Sequence, residues 1–247
     1  MKKIFGLMLL CGTTILCSCN KEYIPQEVEL SVGYTFMESG SMSRASGSDV
    51  YNEFYENYIK TRVLTPTTYE LTFTNTETGA TATMNGLWKN KDAIRLTEGT
   101  YDVKGSSVPI YSKLKGEPSD TTYLSFNEKI TITKDMSSIL LQAKYDSYLL
   151  MFDNQNIDKI YYQHYYDSSY ANTHIEHNLY KTESIFSLFI RDFNYGDTNK
   201  PHRIYLTRKD GQKISITLDK FQFEKGKYYY FNDMDNSFDL PPMQSGN

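Results

Sequence analysis

Three kinds of side chain in this sequence have types and spacings that could do chemistry: paired imidazoles, alternating carboxylates and closely spaced thiols. "HIEH" sets His174 and His177 three apart. A zinc site can use such a pair, but it needs a third protein ligand, and nothing nearby forms the helical HExxH arrangement of a hydrolytic site. The pair therefore reads as part of a solvated polar loop. "NDMDNSFD" offers oxygen ligands at Asp233, Asp235, Ser237 and Asp239, alternating like the start of a calcium loop. It lacks the turn glycine and the distal glutamate that complete one, so a polar turn after the last strand is the competing account. "DNQNID", residues 153–158, is a weaker case of the same pattern. No G-x-S-x-G elbow is present for nucleophilic catalysis. Carboxylate pairs for glycoside cleavage would be spatial and leave no mark in the sequence. The expectation is a chain without catalysis and without a cofactor.

The 3 cysteines, Cys11, Cys17 and Cys19, all lie at the start of the chain. Lys2 and Lys3 precede an apolar stretch from Ile4 to Leu16, the charge-then-hydrophobe order of an export signal and too short for a membrane span. Cys19 has a small residue before it and an aliphatic one three before it, whereas Cys17 follows Leu16. "LCSC" thus resembles a bacterial lipobox, which implies lipidation of the Cys19 sulfur and cleavage between Ser18 and Cys19. A disulfide or metal pair of Cys17 with Cys19 would need both thiols to survive that cut. Lys21 and Glu22 follow the anchor, a short charged stretch that resembles the signal sending lipoproteins of Bacteroides-type bacteria to the outer leaflet, which implies display on the outer face of the outer membrane.

Removal of residues 1–18 from 247 leaves 229, enough for one large or two small domains. The formal net charge is -4, and no basic run offers the positive face that nucleic acid needs. Tyrosine is abundant, with 22 copies against 1 Trp. Its ring and hydroxyl suit half-buried strands, protein interfaces and sugar-binding surfaces alike.

The elements that must position these groups are mostly strands. "EVELSVGYTF" alternates Val28, Leu30, Val32, Tyr34 and Phe36 against polar partners, the period-two signature of a half-buried strand. "MESGSMSRASGSD" then reads as a loop carrying Arg44 and Ala45. Residues 49–63 place Val50, Phe54, Tyr58 and Ile59 at helical spacing. Beyond Pro66 the strand signals come at sandwich-like intervals. The near-continuous apolar runs of "SSILLQAKYDSYLLMF" suggest strands buried on both faces. Asp210-Gly211 marks a hairpin turn. The expected division is residues 1–18 signal, 19–26 lipidated tether, 27–135 an N-terminal β-sandwich and 136–247 a C-terminal one. "TEGTYDV" and "FEKGKYYYF" are similar enough to raise an old duplication.

"YYQHYYDSSY" clusters Tyr161, Tyr162, Tyr165, Tyr166 and Tyr170. On a strand, Tyr161 and Tyr165 share one face and Tyr162 and Tyr166 the other. One face would pack in the core, and the other could offer an aromatic platform for a host surface, a glycan or a protein. Cross-strand aromatic packing is the alternative.

The lipobox "LCSC", the strand "EVELSVGYTF" with "SMSRAS" after it, the block "YELTFTNTETGATATMNG…IRLTEGTYDV" and the late "FEKGKYYYF" together resemble the fimbrillin-like lipoproteins, the type V pilin family of Bacteroides-type bacteria. The resemblance implies an all-β fold of two tandem transthyretin-like sandwiches, to which the reading above adds a short helix near the start of the first. It also implies a cell-surface subunit in fimbria assembly or adhesion, with other fimbrial subunits as partners. In polymerising members an arginine-specific protease cuts beyond the first strand, and a strand from another subunit fills the groove. Carried onto this sequence, the cut falls between Arg44 and Ala45, and Val28, Leu30, Val32, Tyr34 and Phe36 are the groove fillers before exchange. The tail "NSFDLPPMQSGN" is the candidate donor, although Pro241 and Pro242 cannot donate ladder hydrogen bonds. The other readings of these residues are an uncut loop arginine and a glycan-binding lipoprotein of a nutrient-uptake system.

Overall fold

A computed structural model describes residues 25–36, 43–44, 50–61, 63–87, 93–107, 119–165, 174–192, 200–232 and 237–238. In chain order its first half contains β1 (Glu27–Phe36), β2 (Ser43–Arg44), a helix α1 (Val50–Phe54) and a π-helical turn (Tyr55–Ile59). There follow β3 (Thr68–Asn75), β4 (Thr81–Leu87), β5 (Ala93–Thr97), β6 (Gly99–Ser107), β7 (Leu124–Ile132) and β8 (Ser138–Tyr145). Except for β2, the strands form one sheet in the order β4-β3-β6-β7-β8-β1-β5. Only Leu124 and Ser125 of β7 pair with β8, so the sheet folds over at that corner. Four strands face three across a shared core of Tyr69, Leu71, Phe73, Val103 and Phe126 against Leu30, Tyr34, Leu96 and Leu141. The Tyr34 and Phe126 rings meet edge to face at 6.0 Å, a favourable aromatic arrangement.

The second half contains β9 (Tyr148–Asp153), β10 (Ile157–Tyr165), β11 (His174–Asn178), β12 (Tyr180–Lys181) and β13 (Ile185–Ile190). After these come β14 (Arg203–Arg208), β15 (Lys213–Thr217), β16 (Lys227–Asn232) and β17 (Ser237–Phe238). One layer is β11-β10-β14-β15, and the other is β12-β13-β9-β16-β17 with β2 also paired to β16. The chain is therefore all-β, built as two sandwiches. The β14–β15 hairpin turns at Asp210-Gly211 as its sequence predicts: Gly211 has φ +89°, and the Asp210 carboxylate accepts the Gln212 N–H at 2.9 Å.

Three expectations change in the structure. Residues 138–145 form β8, which belongs to the first sandwich and lies beyond the expected division at 135–136. It is buried on one face, not both: Ile139, Leu141 and Ala143 point inward while Leu140 is 62% exposed. The doubly buried strands are β9 and β13. Leu150, Phe152, Leu188 and Ile190 face the second core, and Leu149, Met151, Ile185 and Phe189 face α1 and its π-helical extension. The helix appears where its spacing predicts, yet it covers the second sandwich, with Tyr51 stacked on Tyr228 at 4.4 Å. Among the described residues no helix is long and apolar enough to cross a membrane.

The two sandwiches are joined between β8 and β9. Asp146 there holds Arg191 and Lys225, each at 2.5 Å, with its own side chain only 13% exposed. The buried Ser147 hydroxyl accepts the Tyr123 N–H at 3.2 Å. Replacing Asp146 with Ala strands the mostly buried Arg191 without its partner. We expect a loss of about 2 kcal/mol, less than for a fully buried pair because Lys225 is open to solvent. Urea unfolding measures it, and a change below about 0.5 kcal/mol, as for an ordinary surface substitution, would count against the clamp.

Candidate functional site

Strand β1 is the first candidate. It lies inside its layer, antiparallel to β5 from Glu27 to Ser31 and parallel to β8 from Ser31 to Phe36. Alternation sends Val28, Leu30, Val32 and Tyr34 into the core, with Leu30 at 0% exposure. Phe36 pairs with Ala143 through its backbone, and its side chain lies outside the described residues. The outer side carries Glu29, ion-paired to Arg95 at 2.8 Å with both groups largely exposed, a contact of little energetic weight. What holds β1 is its ladder on both edges and the row of pockets beneath it.

Arg44 does not sit in a free loop. Ser43 and Arg44 form β2, parallel to β16, with Arg44 opposite Tyr228. The Arg44–Ala45 bond thus leaves the end of a strand seated on the second sandwich. Ala45 lies outside the described residues, as does Cys19. Farther along β16, on β17, Ser237 pairs with Asn232 and Phe238 with Phe231. The start of the candidate donor tail is therefore already a strand within its own chain. Asp233, Asp235 and Asp239 of the candidate calcium loop lie outside the described residues, and the backbone of Ser237 serves a hairpin.

The second candidate is β10, whose two faces do different things. Tyr161 and Tyr165 point outward, half-buried, while Tyr162 is fully buried with His164 beside it. Tyr166 lies outside the described residues. Outside, the Tyr161 ring lies beside that of Tyr205, its neighbour on β14, with centroids 5.3 Å apart and planes within 18°. Lys159 lies over Tyr161 at 4.9 Å and Lys200 over Tyr165 at 4.6 Å. Arg203 donates to the Tyr205 hydroxyl at 3.2 Å, and that bond raises the guanidinium pKa.

Inside, β11 separates the "HIEH" pair. His174 faces out, 3.4 Å from Glu176, and His177 faces in, because residues three apart on a strand lie on opposite faces. His177 Nε2 meets His164 Nε2 at 3.1 Å, with ring planes within 11°. The Tyr162 hydroxyl and His202 Nδ1 share a hydrogen bond of 2.5 Å. At a centroid spacing of 5.2 Å, the two facing nitrogens point at each other and share a proton, instead of converging on a third point. Among the described residues no group of three or more His, Cys, Asp or Glu is arranged to hold a metal ion. Burial, with His177 and His202 alongside, lowers the His164 pKa to about 4. The sequence reading missed His164 and His202 because they stand far from the visible pair; the signal available was the strand period, which already splits His174 from His177.

No family model and no curated protein matches this sequence. Solved structures similar to it include fimbrial and adhesion proteins and a candidate polysaccharide-binding protein from Bacteroides thetaiotaomicron. A fimbrial assembly protein from Parabacteroides distasonis aligns over 85% of this chain and 91% of its own, at 10% identity and a TM-score of 0.43. The tip fimbrial protein Mfa3 from Porphyromonas gingivalis aligns over 84% and 94%, at 9% identity and a TM-score of 0.43. A candidate cell adhesion protein from Bacteroides fragilis aligns over 83% and 92%, at 9% identity and a TM-score of 0.45. At such values the functional reading has to rest on the geometry of the chain itself.

Proposed function

We propose that this chain is a non-catalytic surface lipoprotein, brought to the outer membrane by a lipid on Cys19 and freed from it by a cut after Arg44, that joins fimbrial subunits by exchanging its first strand. The observation that carries the reading is β1. It is the strand next to the anchor, it lies between β5 and β8, and its apolar side chains fill a continuous row of core pockets. An empty row of that kind with two unpaired edges binds an extended segment through backbone hydrogen bonds and alternate side chains. A cut after Arg44 would release β1 and β2 together. It would also bare the edge of β16 at Lys227 and Tyr228, where β2 is seated.

The test is the N-terminal residue and mass of the protein taken from its native cell surface, with its migration in an unheated denaturing gel. The expected result is a start at Ala45 and a ladder of oligomers. A lipidated start at Cys19 with a single monomer band would retain the anchored lipoprotein and overturn the exchange.

A further inference from the structure

We propose that β11 is an edge strand released by acid: a proton taken up by His164 drives His177 away and bares the edge of β10. The device lies in the second sandwich and stands or falls independently of the strand exchange in the first. β11 ends its sheet and, among the described strands, pairs with β10 alone, from His174 to Asn178. Its 5 side chains are exposed and half-buried by turns, with Ile175 and His177 on the inward side, so little core packing holds it. Beyond it, Leu179 is buried in the second core and β12 pairs with β13, which limits how far the opening spreads. β10 keeps its ladder with β14 from Ile157 to Gln163 and stays in place, with one edge open to water.

The imidazole pair is the catch. His164 is fully buried and His177 half-buried, and His177, on the outermost strand, stands between His164 and the open side of the sheet. Their Nε2 atoms lie 3.1 Å apart, a contact in which one nitrogen must donate and the other accept. A second proton leaves two N–H donors and two positive charges facing each other at that distance. Among the described residues, the charges that act on His164 are those of His177 and His202. His202, just before β14, lies parallel to the His164 ring with centroids 6.2 Å apart, and it is bonded to the Tyr162 hydroxyl of β10. Asp120, from the segment ahead of β7, attracts positive charge on His177 and so favours that ring as the first to be protonated. His174 and Glu176 sit together on the outer side of β11. Moving β11 outward separates the facing rings and admits water to His164, which then regains its ordinary proton affinity.

The test is amide hydrogen exchange of the purified mature chain at pH 7.5 and pH 5, read by mass spectrometry and corrected for intrinsic exchange rates. The freed ring takes its proton near pH 6.5 and the enclosed one near pH 4, so the opened form should become about thirtyfold more populated at the lower pH. Segments covering β11 are expected to lose protection by about that factor, while β9 and β13 stay protected over the same times. H164Q, whose amide can reach the place of Nε2 and takes no proton, should abolish the difference; H164F serves the same purpose if H164Q does not fold. Protection of β11 that is unchanged at pH 5, that falls together with that of β9 and β13, or that falls equally in the His164 variant would each overturn the proposal.

Discussion

A chain that begins at Ala45 is expected to lose the first sandwich as an independently folded unit. Burying a large apolar side chain is worth about 1.5–3 kcal/mol, and β1 buries Val28, Leu30, Val32 and Tyr34. Their sum is on the order of 6–12 kcal/mol before any correction for residual burial in the unfolded chain, as large as the entire stability of a typical domain, about 5–15 kcal/mol. The ladder on both edges is lost as well, leaving β5 without its β1 partner and β8 bare along that side. The shortened protein should therefore melt far below the parent or oligomerise. A synthetic peptide of sequence EVELSVGYTF should restore a parent-like melting transition, and the same peptide with Leu30 replaced by Asp should not. The Leu30 pocket is fully enclosed, and a carboxylate placed there would be buried without a partner. A shortened chain that stays monomeric and melts with the parent would mean that β1 is an accessory strand, and the exchange model would then have no driving force.

The same strand shows how much of the fold was legible beforehand. Alternation in "EVELSVGYTF" predicted both the strand and the inward residues Val28, Leu30, Val32 and Tyr34, because one face of β1 is core and the other is solvent. Where that condition fails, so does the signal. Leu140 is apolar but faces water, so β8 read as a doubly buried strand of the second unit when it is a half-buried strand of the first. Helix α1 showed its apolar spacing, but spacing reveals that a face is buried and not what covers it. Its partners on β9, β13 and β16 lie roughly a hundred residues or more away. Two-residue β2 has no periodicity at all, and Arg44 could only read as loop. The candidate surfaces follow the same logic. The split of Tyr161 from Tyr162 follows from strand geometry, whereas the pairing of Tyr161 with Tyr205, and of His164 with His177, depends on strand order, which local pattern does not encode.

Acid should destabilise the second sandwich through His164. Its ring is fully buried on β10 and faces His177 on β11 and His202 just before β14. Burial is the leading reason that its pKa falls to about 4, and the two neighbouring imidazoles add to it. The unfolded chain holds the same side chain near pKa 6.5, so below neutrality the unfolded state binds the proton first. The stabilisation is complete above about pH 6.5 and is lost as pH falls through that value. The cost is about 2 kcal/mol at pH 5, rising to about 3 kcal/mol near pH 4. Asp120 works in the opposite direction, since burial raises its pKa against the pull of His177, and its protonated form is the one the fold tolerates. Replacing His164 with Phe separates the two: urea unfolding of the variant should lose most of the slope between pH 6.5 and 4 that the parent shows. If the parent is equally stable at pH 7 and pH 5, the His164 ring accepts a proton in the folded state, and the pair with His177 must open to water without disturbing the sandwich around it.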